Sequence, residues 1–191
     1  MKHLKYLDKE IDNVLNSLTL LKKSQFQGNI HNLFSSVVKA VKSGNKIIFF
    51  GNGGSAADAQ HFAAELVVKY KKDRKSIPSL SLSSDTSIIT SVGNDYNFKY
   101  IFSRQIESLA KNKDVLIALS TSGNSNNIIE ALKISKKMKL NIFCICGNSG
   151  GRAKKYTKNM VIIPNKITST IQTCQKVIMH ALCDYIESTI Q

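Results

Sequence analysis

Apolar residues recur at Leu4, Leu7, Ile11, Val14, Leu15, Leu18 and Leu21. That spacing predicts an amphipathic helix over about 4–21. Ile30, Leu33, Phe34, Val37, Val38 and Val41 repeat the pattern, and Gly44 supplies the stop signal of a second helix. Beyond it the period changes. Short continuous apolar runs stand at 46–50, 80–82, 115–119, 142–145 and 160–163, and they are rich in β-branched residues. Most are separated by helical stretches, which predicts a parallel sheet covered on both faces. A last helix is expected over about 168–187. The expected fold is α/β: a three-layer α/β/α sandwich around a five-stranded parallel sheet. It is read as a single domain over 1–191, with N-terminal helices in 1–44 and the α/β core in 45–191. The stripe of the first helix must be buried somewhere, and a partner subunit is the expected cover.

The first strand runs into Phe50-Gly51-Asn52-Gly53-Gly54-Ser55 and then a helical stretch holding His61 and Glu65. Glycines let the backbone turn sharply and approach a ligand. Ser55 is placed as the helix N-cap. Free N–H groups and a partial positive charge at a helix start suit an anion. His61 and Glu65, four apart, share one helix face. Such a turn also occurs without a ligand, and such a pair also decorates exposed helices. The spacing is neither a Walker loop nor a dinucleotide fingerprint.

A second turn adds weight. The third strand ends in Ser120-Thr121-Ser122-Gly123-Asn124-Ser125, and a helix begins near Asn126. Hydroxyls at the carboxyl end of a parallel strand, opening a helix, form an oxyanion pocket. Asn94 and Asp95 sit in a polar turn between helices, which reads as a plain turn or as a polyol contact. In the last helix Gln172 and His180 are eight apart, on faces about 80° apart.

Composition narrows the partners. The 191 residues are 42% hydrophobic, enough for one substantial core. The N-terminal stretch has scattered charges and lacks an apolar signal region, so a cytoplasmic location is expected and no membrane partner. The formal charge is +14, but the lysines are dispersed and arginine occurs only at Arg74, Arg104 and Arg152. Nucleic acid is therefore not the expected partner; the field would draw in a phosphorylated substrate. Four cysteines are expected reduced and mostly buried, with Cys144 and Cys146 assigned to opposite strand faces.

Together, residues 51–65, Gly93-Asn94-Asp95-Tyr96, the 120–125 loop and Ile171-Gln172 with His180 closely resemble the bacterial phosphoheptose isomerases of the sugar isomerase (SIS) family. The resemblance spans nearly the full length. It implies a flavodoxin-like sandwich assembled as a homotetramer, with active sites at subunit interfaces. It implies conversion of sedoheptulose 7-phosphate to D-glycero-D-manno-heptose 7-phosphate for ADP-heptose and surface-glycan synthesis. Phosphate would be held by Ser120, Thr121, Ser122 and Ser125. Asn52, Gly53, Gly54, Ser55, Asn94, Asp95 and Gln172 would complete the substrate site. Glu65 and His180 would be the acid–base pair, and zinc would bind His61, Glu65, Gln172 and His180. That set has no thiolate, so moderate metal affinity is expected. Ser169, Thr173 and Gln175 replace residues usual in the family. They leave open an isomerase of a related sugar phosphate, or a non-catalytic SIS-domain binding protein similar to the replication-initiator-associating protein.

Overall fold

The computed structural model describes residues 3–190. Two N-terminal helices, α1 (Leu4–Leu21) and α2 (Ser24–Lys42), precede β1 (Ile47–Gly51). The chain continues through α3 (Gly54–Val67), β2 (Ser79–Ser81), α4 (Thr86–Asp95), α5 (Ile101–Leu109) and β3 (Val115–Ser120). Then come α6 (Asn126–Lys137), β4 (Asn141–Gly147), β5 (Met160–Ile163) and α7 (Thr168–Thr189). The alternation of strand and helix is uneven at two points. Two helices separate β2 from β3, and only a 3₁₀ turn, Gly151–Lys155, separates β4 from β5.

All strands pair in parallel in the order β2-β1-β3-β4-β5. This is the flavodoxin-like order, and it reverses direction between β1 and β3. Alternate strand residues feed two cores. Phe49, Ile117, Leu119 and Ile145 face α2, α3 and α7. Ile48, Phe50, Leu116 and Ala118 face α4, α5 and α6. Phe49, Phe50, Phe62 and Phe102 are among the largest fully buried side chains, and truncating such a ring to Ala costs about 3–5 kcal/mol. Cys144 and Cys146, assigned above to opposite faces, share one face because strand side chains alternate with period two.

The α1 stripe is only partly covered. Asn165 Nδ2 donates to Ser17 Oγ at 2.8 Å, which ties the helix to the core. Leu4, Leu7, Ile11 and Leu15 stay 45–56% exposed. Among the described residues no helix is long and apolar enough to cross a membrane.

Candidate functional site

The loops after β1 and β3 lie side by side at the carboxyl rim, at the point where strand order reverses. Gly51 has no room for a side chain: a Cβ there would lie 2.7 Å from the Ser55 carbonyl oxygen and 2.8 Å from that of Leu119. Gly53 takes φ +55° and is the N-cap of α3. Ser55, placed above as that cap, instead lies buried in the first turn, because the glycine pair starts the helix earlier. In the second loop Ser120 Oγ accepts the Gly123 N–H at 3.1 Å, and Ser122 Oγ accepts that of Asn124 at 3.1 Å. Each hydroxyl keeps its proton free to donate. Ser125 is the N-cap of α6 and makes no side-chain capping bond.

Between the loops lies a cavity of about 280 Å³. Asn52, Gly53, Gly54 and Ser55 form one wall, and Ser120, Thr121 and Ser125 another. Thr168 and Gln172 close it from α7. The starts of α3, α6 and α7 all border this space, and none has an acidic residue in its first turn. No charged side chain is in the lining. Neutral hydroxyls, amides and helix N-termini therefore converge on one point, which suits a phosphate group. A larger cavity of about 590 Å³ lies between α1, α2 and α7, but its lining is mainly apolar.

Two residues that the motifs did not flag support the rim. Asn127 exchanges two hydrogen bonds with Asn52, at 2.9 and 2.8 Å, and locks the loops together. Thr168 lines the cavity. Of the expected phosphate ligands, Ser122 is exposed and outside the lining. Asn94 and Asp95 form the last turn of α4 rather than a turn between helices, and Asn94 Nδ2 donates to Asp95 Oδ1 at 2.8 Å. They are exposed and do not line this cavity.

Helices α3 and α7 run side by side away from the rim. At the cavity end a Cβ on Gly54 would lie 2.5 Å from Gln172 Nε2, so glycine gives the amide its place. Midway, Lys176 Nζ lies 3.3 Å from the buried Asp58 carboxylate. Farther along, His61 Nε2 is 2.9 Å from Glu65 Oε1, and His180 comes across from α7. One ligand atom from each of the three falls within 4.8 Å of the others. Gln172 sits at the cavity end, and its eight-residue separation from His180 amounts to about 12 Å of helix rise. Burial lowers the His180 pKa, and the adjacent His61 adds to this while Glu65 opposes it. Burial pushes the Cys183 thiol up to about 12, so it stays protonated.

Ser169, Thr173 and Gln175 are in neither the cavity lining nor the His61–Glu65–His180 cluster. Gln175 is fully buried and donates to the Ile145 carbonyl at 2.7 Å, tying α7 to the sheet. Thr173 Oγ1 donates to the Ser169 carbonyl within α7.

A sequence profile of the SIS domain matches residues 11–147. The chain belongs to the SIS-domain family. This SIS-domain chain is 47% identical over 152 residues to a phosphoheptose isomerase of Helicobacter hepaticus, covering 80% of this chain and 78% of that protein. It is 40% identical over 188 residues to one from Paramagnetospirillum magneticum, covering 98% and 97%. Among solved structures, the phosphoheptose isomerase from Neisseria gonorrhoeae matches with a TM-score of 0.86 and 32% identity, covering 98% of this chain and 97% of that one.

Proposed function

We propose that the protein isomerises sedoheptulose 7-phosphate to D-glycero-D-manno-heptose 7-phosphate in the cytoplasm, supplying heptose for a surface glycan. The observation that carries this is one helix pair, α3 and α7. It borders a neutral anion cavity at one end and brings a carboxylate and two imidazoles together farther along. The rim grips the phosphate through Ser120, Thr121, Ser125 and the helix N-termini, with Ser122 donating from its edge. Asn52, Gly53, Gly54, Ser55 and Gln172 align the sugar chain. Asn94 and Asp95 reach it from a neighbouring subunit.

The reaction moves a carbonyl from C2 to C1. One group must take the C1 proton and return it to C2 through an enediol, and another must shift a proton between the two oxygens. Glu65 and His180 take these roles. A lowered pKa keeps His180 neutral near pH 7, so it can accept a proton as well as give one. Two imidazoles and a carboxylate also fit a catalytic zinc site that keeps an open position. His61, Glu65 and His180 would hold zinc, while Gln172, about 12 Å of helix rise from His180, falls outside that set; when bound, the metal would polarise the carbonyl. The assembly is a homotetramer, with the exposed Leu4, Leu7, Ile11 and Leu15 of α1 covered by other subunits.

Purified protein incubated with sedoheptulose 7-phosphate, with zinc and with chelator, tests the reading. Formation of the heptose 7-phosphate supports it, and unchanged ketose under both conditions overturns it. The meeting of Glu65 with His180 disfavours a binding-only role.

A further inference from the structure

Residues 68–76 lead from α3 towards β2 and carry none of the motifs read from the sequence. They are held by one carboxylate. Glu187, near the end of α7, is 3% exposed. Its oxygens accept the backbone N–H groups of Tyr70 at 2.8 Å, Lys71 at 2.8 Å and Lys72 at 2.9 Å, and Arg74 Nε at 3.2 Å. Arg74 also donates to the carbonyls of Leu66 at 2.8 Å and Glu65 at 2.7 Å, in the last turn of α3. Those carbonyls are among the groups a helix end leaves without partners. Burial pushes the Glu187 carboxyl up, but the three backbone donors and Arg74 outweigh it and hold its pKa below the usual value. The strap is thus tied to α7 by Glu187 and to α3 by Arg74.

The result is a ring laid on His180. Tyr70 stacks on that imidazole with centroids 5.4 Å apart and planes 15° apart. Phe62 and His61 each meet the same imidazole edge-on at 5.2 Å. His180 is therefore confined from three sides by residues of α3 and the strap.

We propose that Tyr70, set in place by Glu187 and Arg74, is a positioning residue that fixes the His180 imidazole and shields its face from solvent. The proposal rests on the isomerase reading for its kinetic consequence only. A fixed imidazole transfers a proton efficiently, and small misplacements are costly.

The test uses full-length Tyr70→Phe, Tyr70→Ala and Glu187→Gln proteins. The first readout is the rate of diethyl pyrocarbonate modification at His180, followed by peptide mass mapping, with exposed His31 as internal reference. Tyr70→Ala and Glu187→Gln are expected to raise the His180 rate several-fold, and Tyr70→Phe to keep the wild-type rate. The second readout is turnover. Tyr70→Ala is expected to lower kcat by about tenfold to a hundredfold with KM nearly unchanged, and Tyr70→Phe to restore it. An unchanged His180 modification rate in Tyr70→Ala overturns the proposal, as does lower thermal stability with unchanged kcat. If Glu187→Gln fails to fold, Tyr70→Ala still decides. If the wild type shows no turnover, the isomerase reading falls, and the modification rate still decides whether Tyr70 holds His180.

Discussion

At the rim, a cavity bordered by three helix starts is lined mainly by hydroxyls, amides and glycines, with no charge among them. Farther along α3 and α7, His61, Glu65 and His180 crowd together beside the Tyr70 ring. The first region suits an anion that stays unchanged through a reaction, because its donors do not titrate. The second suits protons in transit, because its groups do. The chain's +14 charge belongs to neither: its lysines act as a diffuse field rather than as ligands.

Separating the two regions by substitution gives the largest effect. Glu65→Gln or His180→Gln should lower kcat about 10²–10⁴-fold. Stabilisation by the sugar phosphate, read as a thermal shift, should persist. Loss of both together would show that the regions are not independent. Next in size, Gly123→Ala should destabilise the protein by about 2 kcal/mol, since Gly123 has φ +65° and a Cβ would strike the Gly150 carbonyl. Thermal unfolding with and without substrate measures this, and the substrate-induced shift should shrink too. Thr121→Ala should raise KM about tenfold by removing one donor to a charged group, leaving kcat near wild type. A fall in kcat instead would place Thr121 with the chemistry.

The smallest effect is in pH dependence. Folding lowers the His180 pKa, so it favours the neutral imidazole. The stability this contributes is present above the ordinary value of about 6.5. It is lost as pH falls from there towards the lower folded value. Turnover should decline on the acid side, below the ordinary imidazole range. His180→Gln should flatten the matching slope of melting temperature against pH, and an unchanged slope would assign that slope to another group.

The rim was readable because its signals are local. Strand, glycine turn and helix follow one another within 47–67, and the hydroxyl loop follows β3 directly. Local signals also misled. Ser55 looked like a cap until the glycine pair began the helix earlier, and the Asn94–Asp95 turn proved to be the end of α4. The strap was not readable at all. Glu187 holds Tyr70 from 117 residues away, and no periodicity links a coil segment to a far helix end. The Asn52–Asn127 amide pair, 75 residues apart, escaped for the same reason. The meeting of His180 with His61 depends on α7 docking alongside α3, a long-range result of the sheet order.

That docking makes the helix pair a caliper. Gly54 against Gln172, Asp58 against Lys176 and His61 beside His180 are its graduations. A single residue inserted into α7 between the outer marks would turn the far one by about 100° and advance it about 1.5 Å. Helical pitch, rather than any one contact, sets how long a molecule must be to touch both ends. On the proposed reading, a phosphorylated sugar anchored at the rim would have to span that interval to bring its carbonyl to the reactive end.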